Sequence, residues 1–304
     1  MHSGLALRCC VGLICLLSFK LVFSAEPLRV VASFSILGDL VNVVGGNHVQ
    51  VTTLVGPGGD AHMYQPTPND ARTVAKAQLI VMNGLHFEGW LDRLIQASGF
   101  SGQVAVLSVG AKVRTVGSGT NAIDPHAWQN LQNGMIYVRN LSAALQKIDP
   151  THAIDYQKRS EEYLVQIISL DQNIRERLAV LPPARRRLIT SHDAFGYFAD
   201  AYGLTILAPA GFNNDAEASA FRVGTLIRQI RAEQIYAVFV ENVTDPRLMH
   251  QISRETGAKI GGILYSDALS FSQGPATTYL DMFRSNTKTL LEVLLSSSKE
   301  LEKD

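Results

Sequence analysis

Three histidines and one acid, spread over most of the chain, occupy settings that suit metal ligation. They are His62 in Gly59-Asp60-Ala61-His62, His126 in Asp124-Pro125-His126-Ala127-Trp128, His192 in Ser191-His192-Asp193-Ala194-Phe195, and Asp267 in Leu264-Tyr265-Ser266-Asp267-Ala268. Asp267 follows an apolar strand-like run, and a carboxylate at the C-terminal end of a strand lies where open α/β sheets place their ligands. Three imidazoles with one carboxylate form a borderline donor set for Zn²⁺ that also admits Mn²⁺ or Fe²⁺, whereas Ca²⁺ and Mg²⁺ prefer oxygen throughout. The four positions are separated by 64, 66 and 75 residues, so no local motif carries them and a metal held by all four would tie distant segments together. Each histidine alone reads more readily as a turn or capping residue than as a ligand. Their common setting favours ligation: Asp60 and Asp124 each stand two residues before a histidine and Asp193 follows His192, offering acceptors for a ring N–H.

The intervening elements alternate in type. Leu28 to Phe34 reads as a strand, and Ser35 starts a helix that Gly45-Gly46 stops. Val49 to Val55 is a strand broken by Gly56-Pro57-Gly58-Gly59, which delivers His62 from a loop. Thr67-Pro68 opens a helix, Leu79 to Met82 is a strand, Phe87 to Ala97 a helix and Val104 to Leu107 a strand. Residues 110–123 form a Gly/Ser/Thr-rich loop leading to His126, and Met135 to Leu145 is helical. The second half repeats the logic, with strands near 187–190, 204–207, 235–240 and 259–265, and helices near 196–202, 215–233, 246–256 and 277–295. Such alternation predicts an α/β fold with mainly parallel sheets flanked by helices. From His152 to Leu181 apolar residues recur at helical spacing with no Gly or Pro, which predicts one helix of roughly 45 Å, long enough to act as a rigid strut between two lobes. The expected organisation is a signal peptide at 1–25, an N-terminal metal-binding lobe at 26–150, a linking helix at 151–182 and a C-terminal metal-binding lobe at 183–304.

Lys+Arg and Asp+Glu balance at 27 each, which gives no nucleic-acid footprint and no acidic tail. Residues 1–25 have the charge, apolar run and small terminal residues of an export signal, despite Lys20. All three cysteines, Cys9, Cys10 and Cys15, fall inside it, so the mature chain would have no disulfide and no thiolate ligand. Ile14 before Cys15 argues against lipid attachment there, and a soluble periplasmic protein is expected. His86, after a strand, reads as a rim residue, and Glu241, at a strand end, as a hydrogen-bonding acid near the site. Trp128, Phe195 and Tyr197 read as apolar walls.

Taken together, Val31-Ala32-Ser33-Phe34-Ser35-Ile36-Leu37-Gly38-Asp39, the Gly-Asp-x-His-x-Tyr segment at 59–64, Asn83-Gly84-Leu85, Asp124-Pro125-His126-Ala127-Trp128, the segment from Ser191 to Phe198, and Tyr265-Ser266-Asp267-Ala268-Leu269-Ser270 resemble the TroA-like or ZnuA-like metal receptors of ABC importers. The resemblance covers essentially the whole mature chain. It implies two α/β lobes joined by one long rigid helix, four ligands at His62, His126, His192 and Asp267, and delivery of the ion to a membrane permease. In that family manganese-type members usually carry Glu at the third ligand position and zinc-type members His, so His192 points to Zn²⁺ as the bound and transported ion, with a manganese or iron receptor as the alternative. The segment 109–123 lacks the histidine-rich loop found in many zinc-type members.

A zinc metallohydrolase is the rival class, because catalytic zinc keeps one position open for water. Four protein ligands would fill a tetrahedral site, and no His-Glu-x-x-His segment is present, so a binding protein rather than an enzyme is expected. It would act as a monomer with a permease, with a periplasmic metallochaperone as a candidate loading partner, and without nucleic acid.

Overall fold

The computed structural model describes residues 26–116, 122–212 and 219–296. Strands β1 (Leu28–Phe34), β2 (Val49–Val55), β3 (Leu79–Met82) and β4 (Gln103–Val106) form one parallel sheet in the order β2-β1-β3-β4. It is interleaved with helices α1 (Ser35–Gly45), α2 (Pro68–Lys76) and α3 (Leu91–Ser98). A short antiparallel ribbon, β5 (Thr115–Val116) with β6 (Ala122–Ile123), precedes α4 (Leu131–Ile148) and α5 (Ala153–Ala179). The second parallel sheet contains β7 (Arg187–Ile189), β8 (Thr205–Leu207), β9 (Ala237–Glu241) and β10 (Lys259–Leu264) in the order β10-β9-β7-β8, with helices α6 (Gly196–Tyr202), α7 (Ala220–Glu233), α8 (Arg247–Thr256) and α9 (Tyr279–Ser296).

Read from its own first strand, each sheet has the same order, 2-1-3-4, so the two lobes repeat one topology. In both, the order reverses between the first and third strands, and the crevice beyond the strand ends at that point is where such sheets bind ligands. The β7–β9 crevice places His192 beyond β7 beside Glu241 at the end of β9.

The two expected lobes and their parallel sheets are present, and the long helix joins them. It is 27 residues long, about 40 Å at 1.5 Å per residue, but it is not a bare strut. It packs against α1 and α4 of the first lobe and against α6 and α9 of the second. Tyr156, Tyr163, Ile167, Ile174 and Leu178 along it are buried, and one apolar core runs from Leu28 to Leu294 through both lobes. A second cluster lies between α7, α8 and the β9 face.

Several boundaries differ from the periodicity. The helix expected from Phe87 begins at Leu91, because Leu85 and His86 take positive φ of 54° and 63° and turn the chain first. Glu88 holds that turn: its carboxylate accepts the Asn83 and Gly84 N–H groups and the Ser33 hydroxyl. The helix α4 starts at Leu131, where Asn130 caps it by accepting from Gln132 N. The Thr67-Pro68 start is as expected, with a capping box between Thr67 and Asp70. Residues 1–25, and the expected start of the α7 helix at Asp215, lie outside the described residues.

Asp39 of α1 reaches across to α9, accepting the Tyr279 N–H at 2.8 Å. Burial, opposed by that hydrogen bond and reinforced by Asp281, pushes its carboxyl up from the ordinary 3.8 to about 6. Since the group binds a proton more tightly folded than unfolded, stability falls as pH rises from about 4 to about 6 and stays lower above that. Asp39→Asn keeps an acceptor for Tyr279 and removes the buried charge. It should stabilise the protein by about 3 kcal/mol at pH 7.5 and have little effect near pH 4, as read by chemical denaturation at the two pH values. Equal effects at both would contradict this.

Candidate metal centre

His62, His126, His192 and Asp267 meet at one point between the lobes, with one ligand atom of each lying within 4.8 Å of all the others. His62 leaves the loop after β2, anchored by Trp90 Nε1 donating to the Ala61 carbonyl at 2.8 Å. His126 comes from the loop after β6, His192 follows β7, and Asp267 follows β10. Four separations are short: His62 Nε2 to His126 Nε2 3.2 Å, His62 Nε2 to Asp267 Oδ2 3.4 Å, His126 Nε2 to Asp267 Oδ1 3.6 Å, and His192 Nε2 to Asp267 Oδ2 3.1 Å. Donors around a tetrahedral ion with bonds of ~2.0 Å lie about 3.3 Å apart. The measured spacings straddle that value.

His126, His192 and Asp267 are fully buried and His62 nearly so at its side chain. Asp267 Oδ1 is buried with no hydrogen-bond donor, an unsatisfied acceptor 3.6 Å from His126 Nε2. Burial would raise the Asp267 carboxyl, but the His192 and His126 rings hold it well below the usual carboxylate range. Burial would lower the His192 imidazole, but the Glu241 and Asp267 carboxylates hold it well above its usual value.

The groups behind the rings decide which nitrogen faces the centre. Asp124 Oδ1 lies 2.8 Å from His126 Nδ1 and also accepts the His126 backbone N–H at 3.0 Å. Glu241 Oε1 accepts the His192 N–H at 2.9 Å while Oε2 lies 2.7 Å from His192 Nδ1. Both contacts leave Nε2 directed inward, as carboxylates behind ligating histidines do. Phe87 packs edge-on to His62 with ring centroids 4.5 Å apart.

Of the acids expected behind the histidines, Asp124 stands at its ring and the other two do not. Asp60 accepts the backbone N–H groups of His62 and Met63, capping the loop. Asp193 directs its own N–H to the Gly211 carbonyl, and Glu241 takes the place behind His192. His86 is exposed, as a rim residue should be. Of the expected walls, Trp128 packs against the His126 ring, while Phe195 is buried against Phe198; Trp128 also donates from Nε1 to the Ser266 carbonyl at 3.0 Å, beside Gln129 Nε2 at 2.6 Å, so the first lobe grips the residue before Asp267. Ser35 Oγ accepts the Leu269 N–H at 2.9 Å, and the Gly58 N–H reaches the Leu269 carbonyl at 3.0 Å. These cross-lobe bonds had no signal in the sequence, because their partners lie more than 130 positions apart.

The family model described as "ZnuA: Zinc-uptake complex component A periplasmic" matches residues 30–293. The chain belongs to this family. It is 33% identical to the "Iron-binding protein YfeA" of Yersinia pestis, over 88% of this chain and 86% of that one. It is 32% identical to the "Manganese-binding lipoprotein MntA" of Bacillus subtilis, over 88% and 90% of the two chains. Among solved structures, the Mn-bound periplasmic metal binding protein from Candidatus Liberibacter asiaticus superposes with a TM-score of 0.80 at 32% identity, covering 88% of this chain and 99% of that one. The periplasmic zinc binding protein TroA from Treponema pallidum gives 0.84 at 29% identity, with the same coverage. The protein is thus a metal-binding substrate-binding protein of an ABC transporter, working with that transporter's membrane permease, and the role of the family is binding rather than catalysis. The relatives' names span iron, manganese and zinc, so membership alone leaves the metal open. No helix among the described residues is long and apolar enough to cross a membrane.

Proposed function

We propose that the protein captures one Zn²⁺ ion outside the cytoplasmic membrane through His62, His126, His192 and Asp267, and hands it to the permease of a zinc importer. The observation that carries the choice of metal is the donor set itself: three Nε2 atoms and the Asp267 carboxylate, with short spacings of 3.1 to 3.6 Å, suit a four-coordinate ion. A manganese ion favours more oxygen donors and a larger shell. The protein is proposed to act as a periplasmic monomer with residues 1–25 as its signal peptide. Because α5 is packed along both lobes, release would come from local movement of the ligand loops rather than from wide opening.

Metal-stripped protein titrated with zinc and manganese together, with bound ions counted by native mass spectrometry, tests the reading. One zinc per chain that excess manganese does not displace is the expected result. Preference for manganese would overturn the choice of metal, and no binding would overturn the site.

Binding should also be pH-dependent. The metal-free site holds a proton on His192, whose imidazole the two carboxylates push up, and the ion must displace it. The sign is therefore tighter binding as pH rises. Displacing one proton changes the apparent Kd by about tenfold per pH unit, so affinity should fall steadily from pH 7.5 to 5.5. Competition with a chelator of known pH behaviour measures this, and a flat profile would contradict it.

A further inference from the structure

The carboxylates behind His126 and His192 are wired differently. Glu241 and His192 belong to the same lobe. Asp124, behind His126, is fully buried and its outer oxygen Oδ2 pairs with Arg114 Nη1 at 3.1 Å. Arg114 in turn reaches the other lobe: its Nε lies 3.2 Å from Asp200 Oδ2 on α6. The guanidinium packs against Gly196 at the start of α6, where an added Cβ would come within 2.2 Å of Nη1 and would push the guanidinium aside. The same helix grips the backbone below. The Arg114 N–H donates to the Tyr197 hydroxyl at 2.9 Å, and that hydroxyl donates to the Asp124 carbonyl at 2.8 Å. Arg114 and Asp124 are also the base of the β5–β6 ribbon, with Asp124 N–H on the Arg114 carbonyl at 2.9 Å.

We propose that Arg114 is a positioning residue that couples contact between the lobes to the setting of His126: α6 holds Arg114, Arg114 holds the Asp124 carboxylate, and that carboxylate holds the His126 ring. The proposal rests on reading the four-residue set as the metal site, and deepens it by naming how the ion is let go. While the lobes are docked, Asp124 is held from both sides, by a bidentate-capable cation outside and by the imidazole N–H inside. If a membrane partner shifts α6, Arg114 loses Asp200 and Gly196 at its guanidinium and Tyr197 at its backbone N–H together. Asp124 is then free to turn, and His126 Nε2 loses its aim. The exposed Asp200 contact is individually weak, so Asp200 acts as a trim on the coupling and Arg114 as its centre.

The test uses the full mature chain loaded with zinc, following release into a chromogenic chelator by stopped flow. Wild-type protein that holds no zinc would fail the functional reading itself, before the inference is reached. With wild type loaded, Arg114→Met should release zinc about 10- to 100-fold faster at unchanged stoichiometry, the range lost when a carboxylate or its partner behind a ligating histidine is removed. Arg114→Lys should recover part of the slow rate, and Asp200→Asn should accelerate release by a few-fold at most. In an Asp124→Asn background, Arg114→Met should add little, because its effect is routed through that carboxylate. A wild-type release rate in Arg114→Met, or the same acceleration with and without Asp124, would overturn the proposal. Should Arg114→Met fail to fold, Arg114→Lys decides: release faster than wild type that disappears in the Asp124→Asn background supports the coupling, and a wild-type rate overturns it.

Discussion

Replacing His192 by alanine should weaken zinc binding by more than about 100-fold, beyond the loss seen when only a group behind a ligand is removed. The side chain contributes Nε2, 3.1 Å from Asp267 Oδ2, and no other described donor stands ready in its place. The substitution should also cost the metal-free fold about 3–5 kcal/mol, because Glu241 and Asp267 are left buried without the imidazolium between them. The pH dependence of that cost has a definite sign. His192 binds its proton more tightly folded than unfolded, so its stabilisation is complete below about 6.5, the unfolded value, and is lost as pH rises through the higher folded value. Calorimetric titration gives the affinity and denaturation between pH 5.5 and 9 gives the stability. A near-normal dissociation constant would remove His192 from the ligand set.

The second large effect is first of all on stability. Trp128 is fully buried, with its ring centroid 4.6 Å from Phe87, 5.0 Å from Phe34 and 5.2 Å from His126. It is also a bolt between lobes, since its indole N–H holds Ser266 and its carbonyl accepts the Tyr279 hydroxyl at 2.6 Å. Trp128→Ala opens a cavity at that junction and should cost about 3–5 kcal/mol in the metal-free protein. Because Ser266 precedes Asp267, zinc affinity should drop as well. A loss below about 1 kcal/mol by chemical denaturation would show that the junction collapses around the gap and that Trp128 is not the bolt described.

The alternation of strands and helices was legible because buried parallel strands and amphipathic helices carry different apolar periods, and the four candidate ligands were legible because each stands at a strand end or a glycine-rich break. What was not legible depends on backbone angles or on distant partners. An acid two residues before a histidine can cap the backbone, as Asp60 does, or reach the ring, as Asp124 does, and the spacing is the same. The late start of α3 follows from left-handed Leu85 and His86, residues whose types do not announce that conformation. Arg114 gave no signal at all, since its meaning comes from Asp200, which lies 86 positions away. Helical spacing likewise foretold the length of α5 but not its neighbours on both lobes.

The central claim is that one transition-metal ion sits among His62, His126, His192 and Asp267. The most direct measurement is a crystal structure of zinc-loaded protein with anomalous data collected on either side of the zinc absorption edge. The account predicts one peak between the lobes, at about 2.0–2.2 Å from the three Nε2 atoms and an Asp267 oxygen. A peak lying elsewhere, or one that leaves any of the four outside bonding distance, would contradict it.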